Sequence, residues 1–175
     1  NAGTICGNIC NASPAADSVP NLMALDAKVQ LMSVKETRML PVEEFIQGNR
    51  KTARKSDEFV TGIIIPHPGM DARGNFEKLG SRAFLVISIA MVGVVAELTE
   101  SGAIENLNVA VGACSAVSQR LYLLEKEAKG QKLQDLEIKP LHLENLEPID
   151  DIRGTAAYRN AVIPELVTRA IKGVL

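Results

Sequence analysis

A chain of 175 residues suffices for one medium domain or two small ones. Apolar residues make up 46% of it, which supports a packed core and excludes a disordered composition, while aromatics at 3% and the lack of Trp make that core aliphatic and argue against a base-stacking nucleic-acid surface. With 19 basic against 21 acidic side chains the net charge is −2, so neither a nucleic acid nor an anionic membrane surface is an expected partner. The longest apolar run, 83–96, is broken at Ser88 and Gly93 and falls short of the about 18 residues a membrane span needs. Three cysteines at irregular spacing form no disulfide framework, so the expected compartment is reducing and cytoplasmic.

The chain opens on a small, polar, glycine-bearing stretch, GTICGNICNASPAAD at 3–17. Gly3 and Gly7 allow positive φ and close approach to a ligand, and free N–H groups in such a turn form a concave anion site. Ser13 before Pro14, and Asp17 and Ser18 before Pro20, both read as capped helix starts with proline in the first turn. The functional reading is one wall of a nucleotide-cofactor site; the plain alternative is a turn and capped helix whose polar atoms serve only the backbone. A turn at Asn1 with no strand before it suggests the C-terminal part of a longer polypeptide.

A short helix over 19–27 follows, then a strand over 28–34 in which Val29 and Leu31 alternate with Lys28 and Gln30. A second extended piece at 39–42, a helical turn around Phe45, a basic loop at 48–56 and a β-branched strand at 59–65 complete the first half. Pro, Gly and Asp crowd 67–74, which reads as a linker and places the subdomain boundary at 70/71. Beyond it, 75–79 reads as a strand, 80–86 as turn or helix, and 86–98 as a long apolar strand or strand pair. A hairpin turn ending at Gly102 leads to the return strand 104–112. The pattern then predicts a helix over 118–129 stopped by Gly130, and a helical piece over 135–146 broken by Pro140. The last helix, 155–174, is expected to present Tyr158, Val162, Leu166 and Ala170 on one face and to kink or restart at Pro164. Grouped rather than alternating elements indicate an α+β fold with antiparallel sheet.

Few side chains group as chemistry would require. Cys6 and Cys10 lack the further ligands of a zinc or iron–sulfur site, Cys114 reads as core, and His67 and His142 read as structural, so no metal site and no catalytic residue is assigned. No nucleophile elbow, Walker loop or three-glycine dinucleotide fingerprint is present. Arg50, Lys51, Arg54 and Lys55 form a basic patch, either a solvated loop or a docking edge. Lys78 is either an edge-strand guard or a cation beside a cofactor ring. Asp150 and Asp151 are placed to cap the last helix, with Arg153 and Arg159 as partners.

The opening stretch is followed by RKT at 50–52 with DE at 57–58, IIIP at 63–66, FEKLGSR at 76–82, VGA at 111–113, and PIDDIR at 148–153 with YR at 158–159. In this order, over essentially the whole chain, they resemble the FAD-binding medium subunit of the molybdenum hydroxylases, the group of xanthine dehydrogenases, carbon monoxide dehydrogenases and 4-hydroxybenzoyl-CoA reductases.

The resemblance implies the C-terminal lobe of an FAD-binding domain at 1–70, an antiparallel sheet with helices. It implies a C-terminal domain at 71–175, a three-stranded antiparallel sheet packed on a helical bundle. A separate N-terminal lobe with its own pyrophosphate loop is lacking from the sequence, so the isolated chain is expected to bind FAD weakly. Carried over by position, Gly7 and Asn8 would contact FAD by backbone and amide, and Asp17 would accept from its hydroxyls. Val60 would pack near the ring system, Lys78 would lie near the flavin, and Thr4 and Ile5 belong to the same wall. Cys6 stands where relatives usually have a second glycine, so a positive φ there would strain it. The implied function is electron transfer in a hetero-oligomer: a molybdopterin subunit oxidises substrate, an iron–sulfur subunit relays electrons to FAD, and FAD passes them to NAD or another acceptor. The alternative is a non-catalytic assembly fragment that binds no flavin.

Overall fold

The computed structural model describes residues 3–175; Asn1 and Ala2, and with them the turn expected at Asn1, lie outside the described residues. The glycine-bearing start is a helix rather than a turn: α1 is Ile5–Asn11, capped by Thr4, whose Oγ1 accepts from the Gly7 N–H at 3.0 Å. Gly3 and Gly7 do not use positive φ, which glycine adopts among the described residues only at Gly102 and Gly130. Gly7 serves instead by what it lacks, since a Cβ there would stand 3.0 Å from the capping Thr4 hydroxyl. Cys6, inside α1, carries no strain.

Ser13 does not start a helix. Its Oγ accepts from Ala15 N–H and its carbonyl from Ala16 N–H, closing a turn. The second helix, α2, is Ser18–Ala24 with Asp17 at its N-cap, yet the Asp17 carboxylate makes no cap bond. The sequence supplies the reason. The third helical residue is Pro20, which has no N–H, and the N–H of Val19 already donates to Ala16 O at 3.0 Å. The carboxylate is thereby released from its own helix.

Strands β1 (Lys28–Met32), β2 (Thr37–Pro41) and β5 (Phe59–Ile64) form an antiparallel sheet in the order β2–β1–β5. β1 ends two residues before the predicted limit because Ser33 turns the chain, its hydroxyl accepting from the N–H groups of Lys35 and Glu36. The one-turn helix α3 (Val42–Phe45) buries Phe45, and the basic loop contains a small hairpin, β3 (Ile46–Gly48) with β4 (Lys51–Thr52). Arg38 of β2 grips Glu58 through two bonds, 2.6 and 2.9 Å, and donates to Ala53 O. Glu58 is almost fully buried and also accepts from Lys55 N–H.

The second sheet runs β6 (Arg73–Leu79), β7 (Ala90–Leu98), β8 (Ile104–Gly112), β9 (Gln119–Arg120), all antiparallel. Three long strands are as expected; the fourth is a two-residue addition that delays helix α4 to Tyr122–Ala128. β6 takes in Arg73 and Gly74 from the expected linker, 80–86 takes the turn-like alternative of its two readings with bends at 81–85, β7 starts at Ala90 rather than at 86, and the expected helical piece at 135–146 is reduced to 3-10 turns at Leu133–Asp135 and Pro140–Leu143. The final helix α5 (Ala156–Lys172), capped by Thr155, passes through Pro164 without restarting. Its buried face is Arg159, Ile163, Leu166, Val167, Ala170 and Ile171; Tyr158 is turned outward and Arg159 takes the place expected for it.

Two hydrophobic cores result, one beneath α1, α2 and the β1 sheet with Phe45 among its aliphatic side chains, the other between the β7–β8 hairpin, α4 and α5. They meet where α2 lies against β7 and β8. The contact is closest at Gly93, where an added Cβ would stand 2.9 Å from Asn21 Oδ1 and 3.0 Å from both Asn21 N and Pro20 C. Ala110 of β8, paired with Gly93, belongs to the first core.

Gly93→Ala is expected to cost about 1–3 kcal/mol in urea denaturation, because the backbone of α2 rather than a flexible side chain must move. The Arg38 bonds hold the Glu58 carboxyl down to about 2, against an ordinary value of 4.5. The unfolded chain therefore takes up this proton first, and the pair's stabilisation is present above about pH 4.5 and lost as pH falls toward 2. Arg38→Met is expected to lower the melting temperature at pH 7, with the difference from the parent shrinking below pH 4.5.

Candidate functional site

The Asp17 carboxylate, free of its own helix, reaches across to the second sheet. Lys78 Nζ donates to Oδ2 at 2.5 Å and Ser88 Oγ donates to Oδ1 at 2.6 Å. Lys78 lies on β6, paired with Met91; Ser88 is wholly buried at the end of the bends that lead into β7. The carboxylate remains 45% exposed at its side chain, so part of its four-site acceptor capacity stays open to solvent.

Beside it, Ser18 Oγ donates to Asn8 Oδ1 of α1 at 2.5 Å. Two hydrogen-bonded groups thus stand side by side, Ser18 with Asn8 and Asp17 with Lys78 and Ser88, adjacent through the Asp17–Ser18 chain link. Thr4 and Ile5 stand at the start of α1, Ile5 being 58% exposed. Val60 lies on β5, where α1 packs, and is half-buried against the first core. Its side chain is part of that core as much as of any wall. The predicted backbone role of Gly7 needs correction: its N–H goes to Thr4 Oγ1, and the N–H of Asn8 to Thr4 O. The expected concave anion turn is absent from the described stretch because those donors close the helix.

Ser88 is not among the site residues that the sequence suggests. Its signal is its break in an otherwise apolar run, since a hydroxyl buried there requires a partner. Behind it, Arg153 Nη1 donates to Ser88 O at 3.2 Å and Arg159 Nε to Ile89 O at 2.9 Å. Both arginines also bind Asp151, Arg153 at 2.5 Å and Arg159 at 2.8 Å. Burial opposes the charge on Asp151, but these bonds outweigh it and hold the carboxyl well below the usual range. Asp150 accepts from Ala156 N–H at the start of α5, so the pair serves the fold, as the sequence suggested.

Other candidates resolve as structure. His142 is buried, accepting from Lys139 N–H and facing Glu127 at 3.1 Å. Cys114 is core, and burial pushes its thiol up to about 12. In the basic patch Arg54 binds Glu58 O, and Lys55 pairs with Glu36. Among the described residues no group of three or more His, Cys, Asp or Glu could hold a metal ion. A cavity of about 410 Å³ lies at the other end of α2, lined by residues such as Asp26, Glu97 and Asn108, and takes in none of the predicted site residues. No helix among the described residues is long and apolar enough to cross a membrane.

The chain is an α+β fold in which Asp17, at the start of α2, is bonded to two side chains of the second sheet and its approach. Residues 1–68 match the family described as FAD binding domain in molybdopterin dehydrogenase, and residues 76–174 match the CO dehydrogenase flavoprotein C-terminal domain. The glyceraldehyde dehydrogenase medium chain of Sulfolobus acidocaldarius is 31% identical over 177 residues, covering 99% of this chain and 62% of that one. The nicotinate dehydrogenase FAD-subunit of Eubacterium barkeri is 36% identical over 105 residues, covering 58% of this chain and 36% of that one. In fold, the chain is similar to the reconstituted CO dehydrogenase from Oligotropha carboxidovorans, with a TM-score of 0.87 at 23% identity over 98% of this chain and 60% of the other. The chain belongs to the FAD-binding subunits of the molybdenum hydroxylase family, and it spans about 60% of the length of the relatives that it matches throughout.

The Lys78–Asp17 pair is partly exposed, so its direct worth is small. Lys78→Met is expected to cost under about 1 kcal/mol in urea denaturation at low salt, and the difference is expected to fade as salt approaches about 1 M.

Proposed function

We propose that this chain supplies one wall of the FAD site in an electron-transfer subunit, and that Thr4, Ile5, Gly7, Asn8, Asp17, Val60 and Lys78 form or back that wall. The arrangement at Asp17 carries the reading. A carboxylate excused from capping, fixed by two donors and still partly exposed fits a group rich in hydroxyls. The exposed Ile5 offers apolar contact, Asn8 adds an amide, and Lys78 brings a cation suited to an electron-rich ring or a phosphate. Gly7 contributes by its small size and not through its N–H.

FAD, when bound, supplies the ability to accept and pass on electrons one or two at a time. This chain's residues hold the cofactor, limit its motion and set the charge around it, with no acid–base or nucleophilic duty assigned to any of them. The working unit in this reading is a hetero-oligomer with an iron–sulfur subunit and a molybdopterin subunit, delivering electrons to NAD or another acceptor. The named medium and FAD subunits among the relatives support that assembly. We also propose two domains, 1–70 and 71–175; the two cores support the division.

Asp17→Ala in the complete subunit is expected to weaken FAD binding at least tenfold, read by titration of flavin fluorescence, since hydrogen bonds to a charged group are worth about 1.5–3 kcal/mol. Unchanged affinity with an intact melting transition overturns the site.

A further inference from the structure

We infer that Ser88 is a positioning residue for FAD binding, acting through Asp17; the inference rests on the flavin-site reading above. Asp17 has two donors of very different character. The Lys78 ammonium sits on a four-carbon stem with rotatable donors and is 27% exposed, so it can follow the carboxylate over a range of orientations. Ser88 has a single short arm, is wholly buried, and stands on a backbone pinned from behind. Arg153 holds its own carbonyl and Arg159 holds that of Ile89, and both guanidinium groups close on Asp151. Arg159 itself is fully buried and also donates to Ile149 O.

Ser88 is therefore the fixed donor and Lys78 the adjustable one. The hydroxyl decides which way the carboxylate plane faces, and the ammonium supplies charge. Nothing else on α2 can take over the first task, because Pro20 and the engaged N–H of Val19 leave Asp17 no cap bond to fall back on. A carboxylate held in one orientation loses less freedom when a cofactor hydroxyl binds to it, which is where affinity through preorganisation arises. The role leaves the charge of the site untouched, so it is separable from that of Lys78.

The test is a double-mutant cycle on FAD affinity in the complete subunit, by flavin titration of Ser88→Ala, Asp17→Ala and the double variant beside the parent. Ser88→Ala alone is expected to raise the Kd for FAD about tenfold, Ser88→Thr to restore it, and Ser88→Ala to add nothing once Asp17 is alanine. A role in folding alone would instead persist in the Asp17→Ala background. Additive losses, or an unchanged Kd in Ser88→Ala beside a weakened Asp17→Ala, overturn the inference and leave the flavin site standing. An unchanged Kd in Asp17→Ala overturns both. If Ser88→Ala does not fold, the cycle is run with Ser88→Cys, which fills nearly the same volume with a weak donor, and the same comparisons decide.

Discussion

The closeness of α2 to strand β7 at Gly93 is the constraint on which the arrangement depends. The helix comes near enough to meet the strand's backbone because that position has no side chain. Only from this distance can Asp17, at one end of the helix, reach Lys78 and Ser88. The other end is fastened as firmly. Arg120, buried beside β8, donates to Met23 O and to Asp26, and also grips Glu125 of α4 through two bonds. Asn108 adds bonds to Ala24 O and Asp26. A helix of seven residues could not persist alone; here it is a crosspiece bolted at both ends.

The polar atoms of the contact are satisfied in a specific order. Pro20 removes the donor that Asp17 would otherwise cap, so the carboxylate is available to the second sheet. The same logic recurs around Ser88, where two arginines use Asp151 as a common anchor and leave the carbonyls of Ser88 and Ile89 paired. A polar network at this depth is tolerable because its members are paired; a half-paired one would cost more than an apolar replacement.

The strands and their antiparallel grouping were legible from β-branched alternation, and the return strand 104–112 and the turn at Gly102 appear where the pattern puts them. What escaped was decided by hydrogen bonds local to each place. The opening stretch reads as a turn by its glycines, but Thr4 caps it into a helix. The stretch 135–146 is interrupted at Pro140, which has no N–H and disfavours helix in the residue before it, and it stops at 3-10 turns. Of the candidate site residues, Asp17 and Lys78 are brought together in the structure; the sequence read Asp17 by position only as a cap, and the resemblance alone set the two side by side. Ser88 and Gly93 were visible as two interruptions in one apolar run; Ser88 bonds the N-cap residue of α2 and Gly93 lies against the helix at Pro20 and Asn21. Their meaning required knowing what lies across from them.

Ala110 belongs to both halves of the chain. Its methyl group sits on a strand of the second sheet but is packed among the side chains beneath the first. The two hydrophobic interiors therefore share a wall no thicker than one peptide strand. Melting either interior uncovers the other to water, so heat or urea should dissolve the chain in a single step, whatever number of sequence families its halves resemble.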